Sequence, residues 1–329
     1  MNFITGILIC FVMAIVSQVF AKTFGGAYMI YALLLGMVLS KILYIEKFKD
    51  SINYTGKSIL SIGVALLGAR ITFVEISTLG FDVVIAVALA VFATILFGYV
   101  VSRLMGLNGE MGIISGGSTA ICGASAAMAV SSVFPHNKKI EQQTLFIVVG
   151  VNILSTVAMV LYPMITTYLG YNDLQTGVFL GGSIHDVAQV VGAGLSVNDN
   201  VGDIATITKL FRVALLLPIV FTLAYIVSLQ KSKAVETKAP FPVFLIGFLA
   251  LVLLNSFEIL SFTIPVIDMT ASSSLAFVSK ILLTMAVFAL GMKTSPRQLL
   301  SIGPKAISLL VMETVFIAIL ILMISSYIV

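Results

Sequence analysis

The stretch GGSIHDVAQVVGAG, Gly181–Gly194, sets His185, Asp186 and Gln189 within five residues of one another inside an otherwise apolar, helix-length run. In hydrocarbon every polar group needs a partner within the protein, so two adjacent ionisable residues there demand a reason. Gly181, Gly182 and Ser183 come just before them and weaken a helix. The stretch therefore reads as the Gly-broken start of a helix, helical after Gly182. Gln189 lies four residues after His185 on the same helical face, while Asp186 points about 100° away. The N-terminus of that helix would expose N–H groups that form an anion site, which Asp186 would oppose unless protonated or paired with a cation.

The rest of the chain explains why this stretch stands out. Of 329 residues, 60% are hydrophobic and 10% charged, against about 25% charged in soluble domains. Mean hydropathy is +1.15. Apolar runs of roughly 20 residues, long enough to cross ~30 Å of hydrocarbon, recur throughout and leave no room for a soluble domain. The expected fold is an all-α polytopic membrane protein, one transmembrane transporter domain over residues 1–329. Cys10 and Cys122 lie far apart in apolar segments and suggest neither a disulfide framework nor a metal cluster. The run Phe3–Phe20 lacks a basic leading region and reads as a retained first span.

Apolar runs bounded by charges, Gly and Pro give eleven spans: 3–20, 27–43, 57–72, 80–102, 110–133, 141–169, 173–195, 203–229, 241–256, 273–292 and 306–328. With a cytoplasmic N-terminus, the inner loops hold Lys41, Lys47, Lys49, Lys57, Arg103, Lys231, Lys233, Lys238, Lys293, Arg297 and Lys305. The other side holds Lys22, Arg70, Lys138 and Lys139, so the positive-inside rule favours N-in and C-out in a bacterial inner membrane. The polar run 231–241, ending near Pro240 and Pro242, marks a division into two halves. SIGVALLGARITFVEISTLG (Ser61–Gly80) also resembles LTMAVFALGMKTSPRQLLSIG (Leu283–Gly303). Lying in the third and tenth spans, these runs would be antiparallel, the mark of an inverted repeat, unless Leu-Gly pairs recur here by chance.

Polar residues gather in three spans. The fifth, GGSTAICGASAAMAVSSVFP (Gly116–Pro135), packs Ser118, Thr119, Cys122, Gly123 and Ser125 among Gly and Ala. Small residues there mean either close helix packing or an interrupted helix facing a substrate. The eighth, TITKLFRVALLLP, puts Lys209 and Arg212 three residues apart on one face, where only a bound anion, Asp186 or the headgroup region would offset their charge. Asn152 suits a hydrogen bond between helices, and Lys280 suits snorkelling. Glu313, an acid deep in the last span, is a functional candidate without a motif around it. No P-loop, metal-ligand spacing or basic stripe for nucleic acid is present, and no cofactor is implied.

GGSTAICGASAAMA, GGSIHDVAQVVGAG and ITKLFRVALLLP, together with VALLGARI near the third span, resemble over essentially the whole chain a family of bacterial membrane proteins that carry the name sulfate exporters. The resemblance implies secondary transport of small anions. More loosely, the fifth span resembles the organisation of bile acid/sodium symporters and sodium/proton antiporters, which implies discontinuous helices crossing near the midplane.

These readings converge on an exporter of a small anion, a sulfur oxyanion or organic anion. Its expected substrate ligands are Ser118, Thr119, Cys122, Gly123, Ser125, Ser183, Gln189, Lys209 and Arg212. His185 and Asp186 are the proton-coupling candidates, since histidine titrates near neutrality. The alternative is cation/proton antiport, with sodium or another cation bound by Asp186. An intramembrane enzyme would have only Cys122 and His185 as nucleophile and base, so none is expected. Protons or sodium, the lipid bilayer and, as an open alternative, a second copy of the chain are the other partners.

Overall fold

Long apolar runs without internal breakers fold as helices because only a helix satisfies its own backbone in lipid. The computed structural model of the chain, which describes residues 2–24, 28–40, 45–74, 79–135, 138–230, 243–264, 269–293 and 304–328, is all-α and polytopic. In chain order the helices are α1 (Asn2–Phe24), α2 (Tyr28–Leu39), α3 (Ile45–Tyr54), α4 (Leu60–Leu67) and α5 (Phe81–Leu104), followed by α6 (Gly109–Ala120), α7 (Ala124–Ser131), α8 (Lys138–Tyr168), α9 (Asp173–Ser183) and α10 (Val187–Val197). The last five are α11 (Asp199–Ala214), α12 (Leu216–Gln230), α13 (Val243–Ser256), α14 (Ala271–Lys293) and α15 (Pro304–Tyr327). One π turn, Thr55–Ile59, carries α3 into α4.

Each of the eleven expected spans contains helix, but not as one rod each. Six helical stretches among the described residues are long and apolar enough to cross a membrane: Phe3–Phe24, Phe81–Leu104, Lys138–Tyr168, Asp199–Val227, Ala271–Lys293 and Pro304–Tyr327. The fifth and seventh spans are each split into two shorter helices, α6/α7 and α9/α10. The reason lies in their glycines and polar residues, which offer the backbone no continuous apolar helix. One element was not anticipated: β1 (Thr263–Ile264) pairs antiparallel with β2 (Met269–Thr270), Thr263 opposite Thr270. Lys41, Lys231, Lys233, Lys238, Pro240, Pro242 and Arg297, with the run 294–303 that ends the second repeat, lie outside the described residues.

The helices group into two compact units. The first comprises Met1–Leu79, Val191–Asp203 and Pro242–Ser295. Within it α14 packs on α2 and α4: a Cβ on Gly36 would stand 3.0 Å from Gly291 Cα, and Ser279 Oγ donates to Gly63 O at 2.6 Å. The two resembling segments touch here, since a Cβ on Gly63 of α4 would stand 3.1 Å from the Leu283 side chain of α14.

The second unit comprises Gly80–Val190, Ile204–Phe241 and Pro296–Val329. Here α5 and α6 approach until their backbones nearly touch. A Cβ on Gly116 would lie 3.0 Å from Ile95 Cα, and one on Gly112 only 2.7 Å from Ser102 Cβ. Phe97 of α5 stacks on Phe316 of α15 with centroids 4.0 Å apart. Outward residues such as Leu89, Phe92, Leu96 and Val315 are exposed large apolar groups, as a lipid-facing surface requires. Gly112→Val is expected to force α5 from α6 at a cost of about 1–3 kcal/mol. Thermal unfolding in detergent measures it, and an unchanged midpoint would refute the close approach.

Candidate functional site

The two interruptions define the site, and both lie within the second unit. In the fifth span α6 ends at Ala120 and Gly123 takes φ +62°, a left-handed conformation that favours glycine. Gly123 N bonds Ser118 O at 2.8 Å, and Ser118 Oγ returns a bond to Gly123 O at 2.9 Å, closing the break on itself. In the seventh span α9 ends at Ser183, Ile184 is extended (ψ 141°), and α10 restarts at Val187. Asp186 caps the new helix: its Oδ1 accepts from Ala188 N at 2.9 Å, while its own N–H goes to Ser155 Oγ at 3.0 Å.

A helix ends with carbonyls that lack intrahelical partners and carry partial negative charge. Lys209 and Arg212, both fully buried, meet the carbonyl ends of α6 and α9. Arg212 Nε donates to Ala120 O at 2.7 Å, Nη2 to Thr119 O at 3.0 Å, and Nη1 to Gly181 O at 2.9 Å and Ile184 O at 3.0 Å. Lys209 Nζ donates to Ile121 O and, at 2.9 Å, to Ile184 O. From the sequence these cations could meet an anion, Asp186 or the headgroup region; the geometry gives them the carbonyls of two broken helices. The guanidinium fork suits this task, since its N–H groups diverge in one plane toward two chain segments at once.

His185 stands beside the same knot. Its Nδ1 lies 3.0 Å from Thr119 O and its Nε2 3.0 Å from Thr314 Oγ1 on α15. A carbonyl only accepts, so Nδ1 carries hydrogen. Thr314 Oγ1 reaches both Nε2 and, at 2.8 Å, Leu310 O. If its hydrogen turns to Nε2 the ring is neutral; if it turns to Leu310 O, Nε2 donates and the ring is cationic. Two hydrogen arrangements satisfy every atom, and they differ by one proton. Next to Thr314 the buried Glu313 carboxylate accepts from Ser115 Oγ at 2.6 Å and Thr119 Oγ1 at 3.3 Å. Thr119 thereby joins Glu313, His185 and Arg212 through its hydroxyl and its carbonyl.

The remaining expected residues fall into place around this centre. Ser183 Oγ bonds Phe179 O in its own helix, and Cys122 is buried in the break. Gln189 Nε2 donates to Thr156 Oγ1 at 3.0 Å and Asn152 Oδ1 at 3.2 Å, so Asn152 does bridge helices, and Gln189 Oε1 is buried without a hydrogen-bond partner. Ser125 alone of the expected ligands is exposed, at the start of α7, whose N-terminus no side chain caps. Both ring nitrogens of His185 face threonine oxygens rather than Cys122. Among the described residues no group of three or more His, Cys, Asp or Glu is placed to hold a metal. Sequence reasoning singled out Glu313 without placing it in the site, and Thr314 and Ser115 carried no signal, being ordinary hydroxyls in apolar helices. Asp186→Ala is expected to cost about 1 kcal/mol through loss of the cap while Asp186→Asn keeps it; equal unfolding midpoints for the two would count against the capping role.

Two interrupted helices tied by buried cations inside an all-helical, lipid-facing chain define a polytopic membrane protein with a polar centre. The chain belongs to the family described as conserved hypothetical protein 698, whose family model matches residues 5–326. It is 40% identical over 326 residues to UPF0324 membrane protein CT0845 of Chlorobaculum tepidum, covering 98% of this chain and 88% of that one. It is 39% identical over 318 residues to UPF0324 membrane protein TauZ of Paracoccus denitrificans, covering 95% and 92%. It is also 40% identical over 320 residues to UPF0324 membrane protein RB0971 of Rhizobium meliloti, covering 96% and 91%. No solved structure matches the chain.

Proposed function

We propose that this protein is a secondary transporter that moves a small anion outward across the bacterial cytoplasmic membrane in exchange for, or together with, a proton. The observation that carries the reading is the pair of interrupted helices whose carbonyl ends meet on Lys209 and Arg212 beside His185. Irregular backbone at membrane depth is tolerated where protein surrounds it or where it lines a path, and transporters build their substrate sites from such breaks. The N-terminus of α7, uncapped and carrying the exposed Ser125, is the end left open to an anion. The N-terminus of α10 is filled by Asp186.

His185 carries the coupling proton, with Glu313 as its partner through Thr314 and Thr119. The charged and titratable groups around the ring are Glu313 on α15, Lys209 and Arg212 on α11, and Cys122 and Asp186 at the breaks. A sulfur oxyanion is the substrate that the family resemblance favours. The reading is of transport and not of catalysis, since His185 is committed to threonines and activates no nucleophile.

The test is flux in proteoliposomes loaded with sulfate, sulfite, thiosulfate, methanesulfonate or a small carboxylate. At least one of these anions is expected to leave faster under an imposed pH gradient than without it. Efflux no faster than from protein-free vesicles, or flux blind to the gradient and unchanged in His185→Ala, overturns the proposal. A second reading, cation/proton exchange at Asp186, draws on Gln189 Oε1, a buried acceptor facing no donor among the described residues. Sodium-dependent proton flux that needs no anion and disappears in Asp186→Asn would favour it.

A further inference from the structure

The first unit contains a polar cleft of its own, about 340 Å³ in volume, lined among others by Arg70, Asp199, Asn255, Ser272, Ser273 and Lys280. Arg70 is firmly anchored on one side only: its Nε meets the buried Asp203 Oδ2 at 2.8 Å. Its Nη1 stands 3.3 Å from Asp199 Oδ2, and Lys280 Nζ stands 3.8 Å from Asp199 Oδ1. One carboxylate, 52% exposed, is thus shared between two cations at distances longer than the roughly 2.7–2.9 Å of a charge-assisted hydrogen bond. Lys280 also lies over the face of Tyr28, 5.0 Å from its ammonium to the ring centroid. The cleft therefore holds a guanidinium, an ammonium, two serine hydroxyls and an amide, with Asp199 the one anionic group among the described residues that line it.

We infer that this cleft is a second binding site, for a small oxyanion such as sulfate or a sulfonate, in which Asp199 is a built-in competitor. An oxyanion has three or four acceptor oxygens and accepts from Arg70, Lys280 and the serine hydroxyls together, whereas the two oxygens of Asp199 reach Arg70 and Lys280 only loosely. On entering it displaces the Asp199 carboxylate from both cations. Arg70 keeps its geometry because Asp203 holds the far side of the guanidinium. The site does not rest on the transport reading of the interrupted helices, which share none of these residues.

The competitor gives the test a sign. Thermal unfolding of the purified full-length protein in detergent is followed against low millimolar sodium sulfate, with sodium chloride at matched ionic strength as reference. Sulfate is expected to raise the unfolding midpoint of the wild type, because a ligand of the native state stabilises it. Asp199→Asn keeps both cations and removes the competitor, so its half-saturating sulfate concentration should fall by about tenfold, and Lys280→Gln should raise it by at least about tenfold. Ser125→Ala, at the start of α7, tests the other candidate anion site in the same assay. A sulfate response equal in wild type, Asp199→Asn and Lys280→Gln, or no response in Asp199→Asn, overturns the site, as does a response lost in Ser125→Ala and kept in Lys280→Gln. Should Lys280→Gln fail to fold, Asp199→Asn decides alone.

Discussion

Arg212→Gln is expected to lower the midpoint of thermal unfolding in detergent by about 10 °C. Two carbonyls, Ala120 O and Gly181 O, have Arg212 as their donor, whereas Thr119 O is also reached by His185 and Ile184 O by Lys209. An orphaned buried acceptor costs roughly 1–3 kcal/mol, so the pair costs about 4 kcal/mol, at roughly 2–4 °C per kcal/mol. Lys209→Gln should do less harm, since it orphans Ile121 O and leaves Ile184 O with Arg212. Arg212→Lys should rescue little, because an ammonium on one stem does not span both breaks as the planar fork does. A glutamine variant as stable as the wild type would show that the broken helices do not depend on this residue.

His185→Gln and Glu313→Gln are expected to leave the protein folded and to reduce gradient-driven anion flux by at least about tenfold, which is about 1.4 kcal/mol in the barrier. Glutamine keeps hydrogen-bonding capacity at both positions and removes titration. At Glu313 its amide oxygen still accepts from Ser115, so the packing of α15 on α6 persists. The reading distinguishes coupling from binding: exchange of labelled anion against unlabelled anion at equal pH on both sides should survive, while net movement driven by a proton gradient should fail. Flux in either variant that follows the gradient as in the wild type would remove His185 or Glu313 from the proton path.

The relation between these residues shows what the sequence discloses and what it withholds. Gly123 sits in its break at φ +62°, whereas Gly181 and Gly182 lie inside α9 and the seventh span breaks just after them, at Ile184. In the fifth span close packing and interruption both occur, on different residues. Gly112 and Gly116 let α5 approach, and Gly123 turns the chain between two helices. Lys209 and Arg212 were legible as a pair on one helical face, but their partners were not. A carbonyl is present at every residue, and only folding leaves particular ones unpaired at a helix end.

Composition and hydropathy by themselves determined an all-α polytopic membrane protein, since burying backbone in lipid admits few solutions and the apolar runs have the length of helices. The pattern of glycines and polar residues also pointed to the two spans in which helices are cut, though not to the residues of the cuts. Only the tertiary structure decided that both cuts meet on Lys209 and Arg212. It likewise decided that Thr314, more than a hundred residues from His185 in the chain, stands at its Nε2, and that Glu313 reaches the same knot through the Thr119 hydroxyl. The reason is physical: periodicity reports which face of a helix is buried, whereas the partner of a buried charge is fixed by which faces pack together, and no local stretch of sequence encodes that.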